Sequence, residues 1–572
     1  ALSFFTATGI EHLTFGEVGV LTKRVAGFLR AAGAQTNDRI ILVGENRPEW
    51  VATYFGIQWA GLSAVPMDCG STAQEVAIVA QAAQAKGIIL SPKVAKRFEV
   101  SSQSSAYSTP QLSLGDLTEI PIWQMPEAIN FKQPLARAST PAQIASIIYT
   151  SGTTGTPKGV MLSQRNFTFE VSRLAGVFDL GKKDHLLSVL PLHHTFEFTA
   201  GLLVPFSRGS RITYLEELTP DSLSNALKDG VTGLIGVPAL WELLERRIDA
   251  NLNEAGPLPT LIMEGVKNIN FFLRENFDIN AGSIAAYPVH RALGGRLKYL
   301  VSGGSALNPE VTKFFRGLGF NLTEGYGLTE TAPVLTVSDP KRNYVHGSVG
   351  KPLPGIDVRI DSPNSEGVGE VRARGPNIMQ GYYGEEEATK EVLVDGWLKT
   401  GDLGYLDSEG NLFLVGRAKD VIVDRDGRNV YPDELEDAYG SHEAILEMSV
   451  VGLVQPDGNE RVACLIVPDK NYAVGLALPK EAPGFENAYR QALRDVIQEH
   501  LKQVGEGLAY YKRIKIVHFW DKDLPRTTTR KVKRREVVRI LERLENSRTV
   551  SSALARSVDG KSSLVVASRA IA

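Results

Sequence analysis

Short apolar runs alternate with helical patterns through the first 320 residues of the chain. Helices are predicted over residues 48–59 and 75–85, and the apolar runs around them predict strands. Strands separated by helices of this length indicate βαβ units and mostly parallel sheets. The predicted strands are residues 40–43, 63–67, 87–90, 144–149, 186–190, 211–214, 233–237 and 297–301.

The pattern changes twice further along the chain. From residue 345 to 415 it shows short strands with Gly and Pro turns, and after Gly416 it shows a smaller α+β segment. We therefore predict an α/β protein with a large N-terminal domain, residues 1–416, made of βαβ subdomains and a β-rich subdomain. A small C-terminal domain, residues 417–546, and a tail or linker, 547–572, complete the prediction. Residues 251–297 interrupt the alternation and are interpreted as a surface insertion.

Composition narrows the class of protein. The 572 residues are 43% hydrophobic and 22% charged, which is typical of a globular chain with a large core. The net charge of −3 argues against a strongly basic nucleic-acid binder. Cys69 and Cys464 form no CxxC motif, so neither a disulfide framework nor a cysteine–zinc site is predicted. With no apolar run long enough to span a bilayer and no signal-peptide pattern, we expect a cytoplasmic protein with at most peripheral contact at the inner membrane face.

The run YTSGTTGTPKG at residues 149–159 is the strongest chemical signal. Its glycines permit close backbone approach, its hydroxyls and amides can donate hydrogen bonds, and its lysine adds positive charge, as a phosphate-binding loop requires. It is not a Walker A loop, because Pro157 precedes Lys158 where that motif requires Gly, and Gly159 replaces its Ser/Thr. From composition alone, a flexible polar loop is the alternative.

This run resembles the phosphate-loop signature of the adenylate-forming superfamily, which includes acyl-CoA synthetases, peptide-synthetase adenylation domains and firefly luciferase. Six further motifs occur in the family's order, so the resemblance covers nearly all of residues 14–546. They are LPLHH at 190–194, VSGGSA at 301–306, EGYGLTE at 324–330, WLKTGD at 397–402, GRAKD at 416–420 and LPRTTTRK at 524–531.

The resemblance implies an enzyme that converts ATP and a carboxylate into an acyl-adenylate and pyrophosphate. It also implies a mobile C-terminal domain that turns about a hinge at Lys419 before a thiol attacks the adenylate. Because one anion attacks another in the first step, cations and fixed donors must neutralise the developing charge. ATP, Mg²⁺ and coenzyme A are the implied cofactor and co-substrates.

The resemblance also implies roles for individual residues. Thr329 would donate to the α-phosphate, while Glu330 and Thr154 would hold Mg²⁺, which prefers oxygen ligands. Tyr326 would stack on adenine and Asp402 would accept the ribose hydroxyls. The residues that would bind ATP or AMP are Thr150, Ser151, Gly152, Thr153, Thr154, Lys158, Gly303, Gly304, Ser305, Glu324, Gly325, Tyr326, Gly327, Asp402 and Arg417.

Several of these residues have a purely structural alternative. Glu330 could be a carboxylate at the start of a helix, and Tyr326 a core aromatic. Asp402 could be a turn residue before Gly404. His194 aligns best with the family position that borders the acyl site, whereas His193 could serve only in packing.

Lys531 carries the most specific expectation, a catalytic contact with the carboxylate and the α-phosphate during adenylation. Its alternative is one cation on a solvated basic face, and the preceding LPRT favours the catalytic interpretation. The family usually has Gly immediately before this lysine, whereas this chain has Arg530. Arg would be strained at a positive φ, so the loop conformation is the point at which the resemblance departs.

The segments LPLHHTFEFTAGLLVPF and GVPALWELL are strongly apolar where the acyl group is expected. The end of the insertion also resembles that of long-chain acyl-CoA synthetases, so the expected reaction joins a long-chain fatty acid to CoA. The alternatives are a fatty acyl-AMP ligase that uses an acyl carrier protein as acceptor, and a degenerate nucleotide- or acyl-binding module. No nucleic-acid partner is expected.

Overall fold

The computed structural model describes residues 2–6, 9–104, 140–150, 157–340, 344–423, 428–455, 459–475, 484–526 and 532–558. The chain divides into two compact units. The first comprises Ala1–Thr400 and Gly404–Leu414, and the second comprises Gly401–Leu403 and Val415–Ala572. The α/β class, with a large N-terminal and a smaller C-terminal part, agrees with the sequence prediction.

The first unit opens with strands and helices in regular alternation. Its first elements are β1 (Leu2–Thr6), β2 (Gly9–Leu13), α1 (Phe15–Ala31), β3 (Arg39–Val43), α2 (Pro48–Trp59), β4 (Ser63–Met67), α3 (Ala73–Ala82), β5 (Gly87–Leu90), α4 (Pro92–Ser104), β6 (Ile144–Thr150), β7 (Lys158–Ser163) and α5 (Gln164–Val177). They continue with β8 (His185–Ser188), a π-helix (Glu197–Leu203), α6 (Val204–Ser207), β9 (Arg211–Leu215), α7 (Pro220–Lys228) and β10 (Gly233–Gly236).

The insertion forms helices, and a β-rich region follows. The elements are α8 (Pro238–Glu254), α9 (Pro257–Phe277), α10 (Gly282–Ala285), α11 (Tyr287–Ala292), β11 (Tyr299–Ser302), α12 (Pro309–Gly317), β12 (Leu322–Gly327), a 3₁₀ helix (Thr329–Thr331), β13 (Val334–Val337), β14 (Lys351–Pro352), β15 (Asp357–Asp361), β16 (Gly369–Arg374), α13 (Glu386–Val392), β17 (Leu393–Val394), β18 (Trp397–Leu406) and β19 (Leu412–Arg417). Within the described ranges, no helix is long and apolar enough to cross a membrane.

Local signals explain where many of these helices begin. Thr14 and Thr72 cap α1 and α3 through reciprocal hydrogen bonds with Glu17 and Glu75, which satisfies backbone donors that the first turn leaves open. Ser163 caps α5 in the same way with Asn166. Pro at the first turn of α2 supplies a φ suited to helix initiation.

Two large sheets carry the motifs of the first unit. One has the strand order β5-β3-β4-β6-β7, parallel except for the antiparallel pair β6–β7. The other has the order β14-β13-β12-β11-β10-β8-β9-β1-β2, with a parallel centre. Because parallel strands are covered on both faces, their apolar side chains form the core, with Ile40, Leu42 and Leu234 fully buried. A smaller antiparallel sheet contains β15 to β19.

The second unit is an α+β structure. Its elements are β20 (Ile422–Val423), β21 (Asn429–Val430), α14 (Pro432–Gly440), β22 (Ile445–Val454), β23 (Glu460–Pro468), α15 (Phe485–Glu506), a 3₁₀ helix (Tyr510–Lys512), β24 (Ile516–Phe519) and α16 (Arg534–Val558). Strands β22, β23 and β24 form one sheet. Val537 and Leu541 of α16 are buried in an apolar cluster with residues of this sheet. Helix α16 runs to Val558, so residues 547–558 of the predicted tail continue it.

A partly buried ionic cluster joins three segments of the second unit. The Arg534 guanidinium pairs with Asp433 and, at 2.6 Å, with Glu436 of α14. It also lies 3.2 Å from Asp420, which follows the predicted hinge residue Lys419. Burial raises the pKa of Glu436 to about 7, while the charge of Arg534 opposes that rise. Arg534 therefore supplies the positive charge that balances the carboxylates of α14.

Replacing Arg534 should destabilise the second unit. In Arg534→Ala the partly buried carboxylates lose their cation; exposed ion pairs are worth up to about 1 kcal/mol and buried ones about 3 kcal/mol or more, so we expect a loss between these limits. The loss should grow as the pH rises from about 7 to about 9, because Arg534 lowers the pKa of Glu436 in the wild type, and without it the folded state holds the Glu436 proton to a higher pH than the unfolded chain does. Denaturant unfolding of both proteins across this pH range measures the effect.

Arg535→Ala is the matched control, because Arg535 is the next residue on α16 and is exposed. It should unfold like the wild type at every pH. Equal losses of stability in the two variants would mean that the effect comes from the basic surface of α16 and not from the ionic cluster around Arg534.

Candidate functional site

The predicted phosphate loop connects two antiparallel strands. Thr150 ends β6 and Lys158 begins β7, and the two residues are direct partners in the register. Ser151, Gly152, Thr153 and Thr154 lie outside the described residues. The strand β7 was not predicted, because the sequence places a helix signal soon after it at Ser163.

Gly159 shows why the stem of this loop needs a glycine. A Cβ at this position would lie 2.9 Å from both Ile147 Cγ2 and Tyr149 Cζ, closer than real Cβ contacts. The φ of Gly159 is not the constraint; the constraint is the neighbouring strand β6. The motif glycine therefore allows close packing beside the loop.

A segment distant in sequence lies along the outer side of β7. The Met161 N–H donates to Gly381 O at 2.9 Å, and the Tyr383 N–H donates to Gly159 O at 2.8 Å. These bonds place Tyr382 opposite Val160 in an isolated β-bridge. The same segment contacts the end of another motif, because the Met379 N–H donates to Glu330 O at 2.8 Å.

Tyr382 connects the phosphate-loop lysine with the predicted metal-binding carboxylate. Its hydroxyl donates to Glu330 Oε1 at 2.9 Å. The Lys158 Nζ lies 5.1 Å from the centroid of its ring, within the range of a cation–π contact. Burial, and then the charge of Glu330, raise the pKa of Tyr382 well above its usual value, so the hydroxyl stays protonated and donates. Two oppositely charged side chains thus share one aromatic residue.

The other nucleotide motifs lie on neighbouring parallel strands. Val301 pairs with Thr323, and Ser302 pairs with Glu324, so VSGGS and EGYG leave the same edge of the sheet. A Cβ at Gly303 would lie 2.8 Å from Phe196 Cζ, so this position is closed to any side chain. Gly304 has a φ of +91°, which favours glycine, and Ser305 is exposed.

Two predicted nucleotide contacts are more buried than the motif suggests. Tyr326 is only 8% exposed and belongs to an apolar cluster that includes Ile235 and Val334. Glu324 accepts hydrogen bonds from Tyr344 Oη at 2.7 Å and Thr312 Oγ1 at 3.3 Å. Burial raises the pKa of Glu324 to about 7, against the effect of these bonds. Both residues therefore have structural contacts in addition to their predicted roles.

Asn46 holds the LPLHH segment in place. Its side-chain amide donates to Leu190 O at 2.6 Å, while its Oδ1 accepts from the Leu192 N–H at 2.8 Å. The rings of His193 and His194 follow, with centroids 4.0 Å apart. Burial lowers the pKa of His193 to about 4, so its 3.9 Å contact with Asp68 is not an ion pair at neutral pH.

The π-helix after this segment contains a buried acid. Glu197 is fully buried, and burial raises its pKa to about 8 despite opposing interactions with Ser188 and the Leu190 amide. Its carboxyl group lies against Gly201, where no side chain would fit. At neutral pH Glu197 is therefore largely protonated, and this turn adds little negative charge to the apolar interior. Helical turns of this wide type occur frequently at functional sites.

An apolar cavity of about 30 Å³ lies beside the π-helix. Tyr299 contributes the one lining hydroxyl, which donates to Asp179 O at 2.7 Å and is thereby satisfied. Strands β8, β10 and β11 and helices α5 and α6 enclose the cavity. Its lining residues are Leu174, Phe178, Leu180, Leu186, Ala200, Val204, Gly233, Leu234, Ile235, Tyr299 and Val301.

The second unit holds the remaining predicted residues. Asp402 is buried and its Oδ1 accepts from Arg417 Nε at 2.9 Å, so these two predicted nucleotide-binding residues contact each other. Lys419 is exposed. Lys531 lies outside the described residues, but the ends of its loop are paired through a β-bridge between Arg526 and Val532.

Glu447 of β22 fixes one end of that loop. Its Oε1 accepts from Arg526 Nη2 at 2.8 Å and its Oε2 accepts from the Leu524 N–H at 3.0 Å. Glu447, Tyr382 and Asn46 are residues that the sequence analysis missed. Tyr382 follows a Gly in the β-rich region, but no pattern in the sequence connects it with Glu330.

The residues around Glu330 fit a magnesium ion that arrives with a nucleotide. Proteins usually hold Mg²⁺ through one or two carboxylates together with substrate phosphates and water. Glu330 is partly buried, Tyr382 donates to its Oε1, and Thr329 lies beside it in the same 3₁₀ helix. Within the described part of the chain, no group of three His, Cys, Asp or Glu residues could form a metal site by itself.

Comparisons with known proteins agree with the order of the motifs. The model of AMP-binding enzymes matches residues 1–383, and the model of the AMP-binding enzyme C-terminal domain matches residues 434–531. Feruloyl-CoA synthase from Amycolatopsis sp. is 28% identical over 547 residues, covering 93% of this chain and 96% of the relative. Long-chain-fatty-acid–CoA ligase FadD15 from Mycobacterium bovis is 30% identical over 470 residues, covering 78% and 76%.

A solved structure supports the fold. The crystal structure of ATP-bound MatB from Rhodopseudomonas palustris superposes with a TM-score of 0.73 and 25% identity. The match covers 94% of this chain and 95% of that one.

Removing the Tyr382 hydroxyl should weaken the use of Mg²⁺. In Tyr382→Phe, Glu330 loses a hydrogen bond to a charged group, which is worth about 1.5 kcal/mol, or roughly tenfold. We expect the Mg²⁺ concentration for half-maximal ATP–pyrophosphate exchange to rise by about that factor, with kcat at saturating Mg²⁺ changed less. The measurement is a Mg²⁺ titration of exchange at fixed ATP.

Tyr383→Phe is the control, because the hydroxyl of the neighbouring Tyr383 donates to Gln84 Oε1 at 3.4 Å and not to Glu330. Its Mg²⁺ dependence should match that of the wild type. An unchanged Mg²⁺ dependence in Tyr382→Phe would separate Glu330 from the metal.

Proposed function

The chain belongs to the adenylate-forming family of AMP-binding enzymes, with an activity of the acyl-CoA ligase type, and we propose that it joins a long-chain fatty acid to coenzyme A. The Lys158–Tyr382–Glu330 contact is the observation that carries the adenylation step. In it, Lys158, which we propose binds phosphate, and Glu330, which we propose binds Mg²⁺, contact the same aromatic side chain. The apolar cavity beside the π-helix supports the choice of an apolar acid.

The proposed reaction has two half-reactions. In the first, a carboxylate oxygen attacks the α-phosphorus of ATP, the α–β phosphoanhydride bond breaks, and pyrophosphate leaves with the bond's electron pair. In the second, the sulfur of CoA attacks the acyl carbon, the bond between that carbon and the phosphate oxygen breaks, and AMP leaves with the oxygen and the bond's electron pair. The thiol proton passes to solvent, and the products are a thioester and AMP.

The first unit would provide most of the charge that the first half-reaction needs. Lys158 and the loop from Thr150 to Thr154 would contact the β- and γ-phosphates, and Thr329 would donate to the α-phosphate. Mg²⁺ bound by Glu330 would neutralise phosphate charge as the nucleotide binds. Tyr382 keeps the Glu330 carboxylate in one orientation and limits its movement toward Lys158.

The adenine base of ATP would lie near the sheet edge where β11 and β12 end. Glycine at position 303 lets the end of β11 pack against the Phe196 ring, since a Cβ there would lie 2.8 Å from Phe196 Cζ, and the backbone of Gly303 and Gly304 would line the base site. Tyr326 would present part of its ring to adenine while the rest stays in the apolar cluster. Gly325 and Gly327 flank it, and Ser305 is exposed for hydrogen bonding.

In the second unit, Asp402 would accept the ribose hydroxyls and Arg417 would hold its carboxylate in place, as their 2.9 Å contact suggests. Lys531 would contact the carboxylate and the α-phosphate during the first half-reaction only. An acyl carrier protein is the alternative thiol, since its phosphopantetheine arm carries the same nucleophile as CoA.

The small size of the apolar cavity explains why an aromatic acid is the second candidate substrate. A cavity of about 30 Å³ holds only a few methylene-sized groups as it stands, so a long chain requires movement of leucine and phenylalanine side chains around it. Feruloyl-CoA synthase, named for an aromatic acid, matches this chain over 93% of its length. His194, which borders the expected acyl site, has a ring that an aromatic acid could also contact.

A panel of acids with CoA tests the proposed substrate. For saturated acids, kcat/KM should rise with chain length by up to about fourfold for each added methylene, equivalent to roughly 0.8 kcal/mol, until the site is full. Ferulate should be a poorer substrate than a long-chain acid. A preference for ferulate or for short acids would favour the aromatic candidate and reject the long-chain one.

Lys531→Ala should separate the two half-reactions. Loss of a charged contact made only in the first transition state should reduce pyrophosphate exchange by roughly a hundredfold. Conversion of supplied acyl-AMP and CoA into thioester should continue near the wild-type rate. Both rates are measured on the same purified protein.

Lys533→Ala is the control, because Lys533 is a nearby cation that pairs with Glu536 at 3.3 Å. It should retain both activities. Equal losses of both half-reactions in Lys531→Ala would mean that Lys531 is structural. If Lys531→Ala retains exchange and only the double variant Lys531→Ala/Arg530→Ala loses it, then either of the two cations can make the phosphate contact.

A further inference from the structure

Helix α9 of the insertion exposes a continuous apolar stripe. Leu258, Leu261, Ile262, Ile269 and Phe272 are each between 57% and 70% exposed. At 100° per residue they fall within about 100° of the helix circumference, with Gly265 near the centre of the arc. We call these five side chains the α9 stripe. The 21 residues of the helix make it about 31 Å long.

The opposite side of α9 is already anchored to the protein. The Asn270 side chain donates to Gly317 O at 2.9 Å, and Arg274 Nη1 donates to Phe320 O at 3.0 Å. Met263, about two turns before Asn270, is buried on the same face. The stripe is therefore not an unfilled part of the core but a second apolar face, directed away from the bonds that hold the helix.

Charge is absent from the stripe itself. Glu264 and Glu275 lie outside its arc, and Lys267 lies on the anchored side, where it pairs with Glu264 at 2.5 Å and Asp249 at 3.8 Å. The Lys267 side chain is only 12% exposed. A partner that fits this surface must therefore be apolar, and it gains little from carrying a net charge.

We propose that the α9 stripe docks on the surface of a lipid bilayer, with the helix axis parallel to the membrane plane. Amphipathic helices bind in this way through burial of an apolar face among the acyl chains. The choice of a lipid partner rests in part on the proposed function, because a long-chain fatty acid partitions into bilayers. Docking would bring the enzyme to the phase that contains its substrate.

The size of the stripe favours a bilayer over a second copy of the chain. With about 120 Å² for a full Leu or Ile side chain and about 200 Å² for Phe, the exposed fractions sum to roughly 400 Å². A stable protein interface of standard size takes about 800 Å² from each partner, with close shape complementarity. A fluid bilayer needs no complementary surface, and a single protruding helix can enter it.

Flotation with neutral phosphatidylcholine vesicles tests the proposal. The wild-type chain should bind, and Leu261→Gln/Ile269→Gln should bind at least about tenfold more weakly. Gln keeps a high helix propensity and both sites are exposed, so the fold should be retained. Binding should change little in about 1 M salt, where charges are screened within about 3 Å, or when anionic phosphatidylglycerol is added.

Ile78→Gln/Leu218→Gln is the matched control, because both residues are similarly exposed but lie outside the insertion. It should bind vesicles like the wild type. Three results would overturn the proposal: a wild type that does not bind, a stripe variant that binds as well as the control, or binding that disappears in high salt. A wild-type dimer that the stripe variant dissociates, seen by light scattering, would assign the stripe to a second copy instead.

Pyrophosphate exchange with a water-soluble short acid, measured without vesicles, separates this proposal from the proposed function. The stripe variant should keep the wild-type exchange rate, because α9 contributes no residue to the candidate site. Vesicle binding without exchange on any acid would reject the fatty-acid function alone. Exchange without vesicle binding would reject the docking surface alone.

Discussion

The Tyr382 hydroxyl and ring together hold two opposite charges at a fixed separation. Lys158 and Glu330 come from motifs far apart in the chain, and a direct ion pair between them would occupy both the cation proposed to bind phosphate and the carboxylate proposed to bind Mg²⁺. Tyr382 contacts the lysine through its ring and the carboxylate through its hydroxyl. Each charge is thus stabilised without a direct ion pair between Lys158 and Glu330. The β-bridge to Val160 and the Met379 bond to Glu330 fix this arrangement through the backbone.

The apolar side of the candidate site depends on acids that burial neutralises. Glu197 and Glu324 both lie near motif segments, and burial raises the pKa of each toward or above neutrality. A charged carboxylate would be costly at either buried position, and a protonated one can remain there at lower cost. The same interior can therefore contain polar contacts that fix the loops and still hold little negative charge. Asn46 adds a neutral clamp on the LPLHH segment.

In the second unit, ion pairs and not neutralised acids fix the predicted functional segments. Arg534 is compensated by carboxylates from α14 and by Asp420, so the start of α16 is tied to the segment that contains the predicted hinge. Glu447 fixes the other end of the lysine loop. The loop that carries Lys531 therefore extends from two anchored ends, which is a suitable base for a side chain expected to act in only one half-reaction.

The order of elements and the family could be predicted from the sequence alone. Strands such as Ser63–Met67 and the helix Pro48–Trp59 follow from local apolar patterns, and seven motifs in order indicate the adenylate-forming family. These are short-range properties that each segment expresses by itself. The pairing of β6 with β7, the contact of Tyr382 with Glu330, and the clamps made by Asn46 and Arg534 were decided only by the tertiary structure. Strand β7 lies close to β6 in sequence but was hidden by the helix signal at Ser163. The other contacts join groups separated by many residues, and no local pattern encodes which distant partner a buried donor or charge will find once the chain has packed.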